Sequence, residues 1–585
     1  MKKFYTFLFI ALMMLLPSVV LADSVNEQQA LAKAMQFFSK GTQTRTAPQF
    51  ELIWDGEEVA TRATAEPAFF IFNRTDMPGF VIIAGDDSVS PVIGYSFENG
   101  FGKGEMPSNL RYWLEGVRGM ILQARAAGAP AVDQTPLLGD VVKDLETADW
   151  DQDNPYNRDC PTYGGQKAVT GCTATAAAIV CKYHRWPETG DGMTPAYTTP
   201  TRGISVPARE LGSYNYDLMP NVYKAGSFSD AEAAEVARLM ADIGAGLKSD
   251  YAQPGGTGAY TTDQLRTMIT YMRYNKAAYL AHRDGYTDDE WKRLLKAEID
   301  ANRPVLYSAN SSAGGHAFVM DGYTNDGLFC FNWGWSGQAN GAYSINNMAP
   351  AGSSYNFTYG HEAIVDLWPD KEGATTYSDN LVVGAQENYV GLYVDTKLFA
   401  TGTPFSTQLV FYNVSATNYS GRVAIALADK NYTIKELITA EQTVSVRMPA
   451  NGLIYAGSIS ARATIQGEIK PGDRIIPVFW DRATKGWLRM RKYVSNAIDE
   501  VIVMEANPDG DAIASNTQIS WKRTKKELSI QTYNGTTLEV LKGGSKVHST
   551  TVGAEPVVLS NLAAGSYTVR IYFDADEACE FKLTL

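Results

Sequence analysis

One change of hydrophobic period divides this chain. Up to Pro369, apolar residues recur at helical spacing in several stretches. Beyond it only alternation of period two survives, broken by turn signals such as Pro471-Gly472 and Asn534-Gly535. A segment of that kind must pair strands and bury one face of each sheet, which predicts two β-sandwich domains, residues 371–506 and 507–585. The whole chain has 585 residues, room for about four domains of ~150 residues, so every helix has to fall in the earlier part.

That earlier part opens with Lys2 and Lys3, the apolar run Phe4 to Leu16, Pro17, and small residues ending at Ala22. The pattern predicts a secretory signal peptide over residues 1–22 and hence a secreted protein. The run is shorter than the ~20 apolar residues that span a bilayer, and no Cys follows it to carry a lipid. Leu31, Ala34, Met35 and Phe38 then mark a helix over Glu27 to Lys40, followed by strands at Ala68 to Phe72 and Gly79 to Ala84 and a helix at Leu110 to Ala126. The Ala-, Gly- and Pro-rich stretch Ala127 to Pro136 reads as an exposed linker, which closes an α/β domain at 23–135.

Residues 136–370 place helices first (Gly171 to His184, Asp230 to Gly244, Asp263 to Tyr274, Thr287 to Asn302) and strands later (Val305 to Ala309, His316 to Tyr323, Leu328 to Trp333, Ala363 to Leu367). That order predicts an α+β domain around an antiparallel sheet.

The net charge of −13 is spread without long blocks of one sign, so nucleic acid is a poor partner. Five cysteines cannot all pair. Cys172 and Cys181, on one helix, stand about 13 Å apart, too far to bridge. A thiol without a disulfide in an exported chain is either a packing residue or a reactive one.

Cys172 has the setting of a reactive one. A Gly turn delivers it to the first turn of an Ala-rich helix, where the dipole and free N–H groups favour a thiolate. Alone it would read as a small buried residue; a base is needed. Among the five histidines, His316 follows Gly314-Gly315 at the start of an apolar strand, a turn that admits a substrate backbone. Asn332 follows sixteen residues later, and its amide oxygen can accept the second imidazole N–H. Gln166, six residues before Cys172, can donate to an oxyanion beside the Cys172 N–H.

The spacing of Gln166, Cys172, Gly315-His316 and Asn332-Trp333 is similar to the papain clan. The wording around Thr170-Gly171-Cys172, Lys182-Tyr183-His184 and His316-Ala317-Phe318-Val319 resembles the streptopain family of bacterial cysteine peptidases. The likeness runs from Asn154-Pro155 to Val365 and includes Gly79 to Asp86. It implies a papain-like catalytic domain of two lobes, one helical and one antiparallel β, and a secreted cysteine endopeptidase made as a zymogen, with 23–135 as inhibitory prodomain. It implies Cys172 as nucleophile, His316 as general base and then acid, Gln166 as oxyanion donor, and Asn332 with Trp333 as the pair that orients and shields the imidazole. Gly315 and, within the Gln253 to Ala259 loop, Thr257 would touch the substrate backbone. Asn109 would be the prodomain residue that displaces His316; it also reads as the cap of the helix that begins at Leu110, and the two roles do not exclude each other. The Gly352 to Gly360 loop departs from the Gly-rich family version.

Partners implied are protein or peptide substrates and the chain's own prodomain, with no cofactor and no metal: His361-Glu362 and Asp250 lack any ligand spacing. There is no G-x-S-x-G elbow. Trp333 and Trp335 read as cleft-rim residues. The pattern Leu562-x-x-Gly565-x-Tyr567-x-Val569 is similar both to C-terminal domains that address proteins to an export machine, with cell-surface contact, and to generic sandwich domains. Two other functions compete: an amidase or transglutaminase-like acyltransferase using the same Cys-His-Asn group, and a surface adhesion protein carried by the β-domains.

Overall fold

The computed structural model describes residues 22–584 apart from 42–47, 55–65, 103–105, 107, 136–138, 254–255, 312–313, 346–359, 374–376, 386–389, 397–398, 400, 471, 495, 507–511, 515–516, 523–525, 533–535, 554 and 573–577. Except for Ala22 and Gly360, the expected signal peptide and the 352–360 loop lie outside the described residues. The chain divides into two compact units, 1–275 with 286–374, and 276–285 with 375–585.

The first unit has helices α1 (Glu27–Gly41), α2 (Ser108–Ala126), α3 (Cys172–His184), α4 (Asp230–Leu247), α5 (Thr261–Thr270) and α6 (Asp288–Asp300). Its long strands are β1 (Phe50–Trp54), β2 (Phe69–Arg74), β3 (Phe80–Ala84), β4 (Val92–Ser96), β5 (Val141–Asp144), β6 (Val305–Ser311), β7 (Gly314–Thr324), β8 (Phe329–Asn332), β9 (Gly341–Tyr343) and β10 (His361–Val365). Helices α4 and α6 begin at capping boxes built by Ser229 with Glu232 and Thr287 with Glu290. Helix α5 stops at Thr270, four residues short of the Tyr274 expected from its periodicity.

The strands form one antiparallel sheet in the order β1-β2-β3-β4-β9-β8-β7-β6-β10, with β5 paired to the far end of β7. The sequence pattern hid its central joint. Tyr95 and Gly94 of β4 pair with Ala342 and Tyr343 of β9, so the N-terminal segment and the Cys/His segment share a sheet. Their apolar side chains are shared too: Phe37, Phe38, Phe70, Phe72 and Tyr95 pack in one cluster with Leu328 and Ala342. Gly341 is needed at the joint, because a Cβ there would lie 2.4 Å from the Tyr95 carbonyl oxygen.

The linker is exposed in most of its length but is not loose. Val132 N–H donates to Asp87 O, and Gln134 Nε2 donates to the carbonyls of Asp87 and Val89. From Asp140 onward the partners change, with Asn325 N–H donating to Asp140 O.

In the second unit, described residues beyond 376 contain strands and no helix. Phe405–Asn413 pairs with Ala456–Ala463, and Tyr419–Ala428 pairs with Arg474–Asp481 in a separate sheet. Leu409 and Phe411 of one sheet meet Val423, Ile425, Ile475 and Phe479 of the other in a cluster that continues to Leu528, Ile530, Val540 and Ile571. Among the described residues no helix is long and apolar enough to cross a membrane.

Candidate active site

The turn that presents Cys172 has a conformation reserved for glycine. Gly171 stands at φ 88°, ψ 147° as the residue before α3, and a Cβ on it would lie 2.6 Å from Thr257 O and 3.1 Å from Thr257 Cγ2. Around it, Thr257 Oγ1 donates to Val169 O at 2.7 Å, Thr170 and Thr175 join hydroxyls at 2.7 Å, and Gln264 Nε2 donates to Thr173 O at 2.9 Å. Thr257 is buried and braces the nucleophile turn from behind. The sequence pointed to it as a substrate contact, but its hydroxyl is engaged with the chain itself.

Cys172 opens α3. Its Sγ accepts the Ala317 N–H at 3.4 Å and lies 4.0 Å from Thr173 Oγ1. The thiol therefore rests against the strand that carries His316, one residue along from the imidazole. His316 sits on β7 opposite Ala309, which in turn faces His361 on β10. Gly315 precedes it opposite Asn310.

The electrostatics reverse the expectation from the helix dipole. Burial pushes the Cys172 thiol above its ordinary pKa, with the Ala317 N–H only partly offsetting it. Burial also holds the His316 imidazole below its ordinary value. Both shifts favour the neutral pair over thiolate and imidazolium. The dipole argument missed this because it took no account of the chain folded over the turn.

Asn332 is buried on β8. Its Nδ2 donates to Thr147 Oγ1 and Ala148 O, each at 3.0 Å, and its Oδ1 accepts the Gly334 N–H at 3.0 Å. Trp333 is 1% exposed, so it is a core residue and not a rim residue. Its Nε1 donates to Ala339 O, and its ring packs 4.8 Å from Phe318 and 5.2 Å from Tyr343. Trp113 of α2 covers it, with ring centroids 6.3 Å from Trp333 and 4.8 Å from Tyr343. Trp335 is half-buried.

Gln166 lies in a short hairpin, Tyr163 opposite Gln166, and is exposed; among the described residues no hydrogen bond joins it to the thiol. Asn109 falls in the first turn of α2, which begins at Ser108, so it is not the cap, and its side chain lies outside the described residues. Cys160, Cys181 and Cys330 are buried without disulfides, and burial pushes the Cys160 and Cys181 thiols up to about 12. Cys579 has a side chain outside the described residues.

Residues 150–343, which hold Gln166, Cys172, Thr257, His316, Asn332 and Trp333, match the model of the peptidase C10 family. The chain belongs to the peptidase C10 family. Residues 22–121, which supply β1 to β4 and most of α2, match a second model, the Spi protease inhibitor. Among curated relatives, the chain is 32% identical over 367 residues to the thiol protease/hemagglutinin PrtT of Porphyromonas gingivalis, covering 60% of this chain and 42% of PrtT. It is 28% identical over 318 residues to streptopain of Streptococcus pyogenes, covering 50% of this chain and 78% of streptopain. Among solved structures, a fragment of prointerpain A from Prevotella intermedia aligns at 28% identity and TM-score 0.45, covering 54% of this chain and 98% of that one. The C10 match and the inhibitor match meet at the β4 to β9 joint, one on each side of it.

Proposed function

We propose that this chain is a secreted cysteine endopeptidase made as a zymogen, with residues 1–22 as signal peptide, 23–135 as inhibitory prodomain and 136–370 as a papain-like domain of two lobes. Residues 371–506 and 507–585 are β-sandwich domains in this reading, supported by two sheets closing on one apolar cluster. They serve delivery or docking at the cell surface or the export machinery.

The observation that carries the reading is the Cys172 thiol at a helix start, 3.4 Å from the backbone N–H next to His316, in a unit whose sheet also takes in strands of the segment before residue 136. Removal of that segment returns water to the pair. The thiol pKa then falls, the imidazole pKa rises, and the proton passes from Sγ to His316. The thiolate attacks a peptide carbonyl, while the Cys172 N–H and the Gln166 amide take the oxyanion. His316 then protonates the leaving amine, and water hydrolyses the thioester. Asn332 orients the imidazole, and Gly315 lets the substrate backbone approach.

The test is reduced recombinant chain lacking residues 1–22, incubated with casein, as wild type and Cys172→Ala. Self-trimming between α2 and β5 together with casein cleavage is expected in the wild type alone, abolished by a thiol-alkylating reagent. Cleavage by the Cys172→Ala protein would overturn the assignment. Transfer to an added amine in place of hydrolysis would favour the acyltransferase.

A further inference from the structure

The linker after α2 leaves from one turn of the N-terminal segment and comes back to it. That turn, Gly85 to Val89, joins β3 to β4. Its shape is set from beneath by the buried Asp86, which accepts the Ser88 N–H at 3.0 Å, the Ser88 hydroxyl at 2.5 Å and Arg125 Nε at 3.0 Å. Arg125 stands in the last turn of α2, and its Nη2 also donates to Gly85 O at 2.9 Å. The start of the linker is thereby tied to the turn.

Its other end is tied there too. Val132 N–H and Gln134 Nε2 donate to Asp87 O at 2.9 and 3.0 Å, and Gln134 Nε2 donates to Val89 O at 3.0 Å. The Gln134 oxygen accepts Lys33 Nζ of α1 at 2.6 Å, and the same ammonium donates to Asp87 Oδ1 at 3.0 Å. These partners of the Gln134 amide have one role each: the carbonyls only accept and the ammonium only donates, which gives the amide a single orientation. Lys33 and Asp87 are half-buried, so their pairing is less screened than a surface ion pair. By composition, Ala127 to Pro136 is the kind of small-residue segment that proteases nick. A protease takes its substrate as extended chain, however, and a loop pinned at Arg125 and again at Gln134 cannot be drawn out until one end is released.

We propose that Lys33, Asp87 and Gln134 form a latch that closes the linker to proteolysis, and that the opening of this latch sets the rate at which the zymogen is converted. The proposal rests on the reading of the chain as a zymogen. It places the control of conversion in side chains up to 101 residues apart in sequence, away from Cys172. Cutting follows the population of open linker as long as reclosing outpaces cleavage. Deleting the Gln134 side chain removes one charge-assisted and two neutral hydrogen bonds, which raises that population roughly tenfold.

The test uses the Cys172→Ala chain lacking residues 1–22 as substrate for added elastase, which cuts after small residues, with the fragments mapped by mass spectrometry. Trypsin is the control: no Lys or Arg lies between Arg125 and Lys143, so it cannot cut the linker and reports opening elsewhere. Gln134→Ala and Lys33→Met are each expected to speed cuts between residues 127 and 134 roughly tenfold at an unchanged tryptic rate. The double variant is expected within about twofold of either single one, because the two side chains hold one contact. Gln36→Ala, exposed on the same helix as Lys33, is expected to change neither rate. With Cys172 restored, Gln134→Ala is expected to trim itself roughly tenfold faster. The proposal is overturned by a wild-type elastase rate in Gln134→Ala, by a tryptic rate that rises in step, or by an additive double variant. An equal effect of Gln36→Ala overturns it too, as does unchanged self-trimming beside faster elastase cutting. Absence of self-trimming in every Cys172 protein instead counts against the zymogen reading, so the two failures are told apart.

Discussion

Gly171→Ala tests whether the nucleophile turn is as tightly set as its surroundings require. Its backbone, at φ 88° and ψ 147°, belongs to a region that costs side-chain-bearing residues ~1–3 kcal/mol. The added Cβ would meet the Thr257 carbonyl oxygen at 2.6 Å, whereas ordinary contact begins near ~3.5 Å. Relief therefore needs roughly 0.9 Å of movement by the Cys172 turn or by the segment that carries Thr257, at a further ~1–3 kcal/mol of overpacking. A displacement of about 1 Å of a reacting group costs on the order of 10²-fold in rate. Thermal unfolding by circular dichroism and casein turnover by the processed enzyme read the two consequences. A loss of about 2–6 kcal/mol and a fall of roughly 30- to 100-fold in kcat are expected. Gly203→Ala is the control: φ is 64° there with open space around the added methyl, so a small stability loss and unchanged turnover should result. Wild-type turnover in Gly171→Ala would refute the claim that Thr257 and Gly171 set the position of Sγ.

Trp113→Ala should loosen latency. The ring is 7% exposed against Tyr343 and Trp333, and such a truncation costs ~3–5 kcal/mol, so self-trimming should speed up; an unchanged trimming rate would remove Trp113 from the inhibitory contact. Alkylation of Cys172, followed by peptide mapping against pH, should have its midpoint above the ordinary thiol range in the full chain and lower after trimming, since burial is what raises it. Coincident curves would contradict that cause. Burial, with the Asp144 and Asp149 carboxylates close by, raises the pKa of Asp321 above that of an unfolded Asp. Its contribution to stability is thus full below about pH 4 and is lost as pH rises through the folded value. Asp321→Asn should therefore gain in melting temperature relative to wild type between about pH 4 and pH 9, and a constant difference across that range would count against it.

The helices and long strands of the first unit were legible because each carries its period locally: Leu31 to Phe38, Asp230 to Gly244 and His316 to Tyr323 fall within a few residues of α1, α4 and β7. What escaped was non-local. Strands β4 and β9 are short, and β9 contains Gly341, so neither announces itself; only their pairing, across some 250 residues, gives them meaning. The chemistry divided the same way. Cys172, His316 and Asn332 stand out as candidates by type and spacing alone. The direction of the thiol pKa shift depended on burial by other segments, and the bracing role of Thr257 depended on a carbonyl it meets only in the fold. Trp333 looked like a rim residue because its neighbours in sequence are glycines and polar groups, while its neighbours in space are Trp113, Phe318 and Tyr343.

If the chain is the zymogen proposed above, the shared sheet also sets the order of events in its maturation. Cutting the linker breaks none of the hydrogen bonds between β4 and β9 and leaves Phe37, Phe38 and Tyr95 packed with Leu328 and Ala342. The nicked protein is then a non-covalent complex of two fragments. Its release of activity becomes a dissociation equilibrium that responds to dilution and to destruction of the freed fragment, and bond cleavage alone does not complete it.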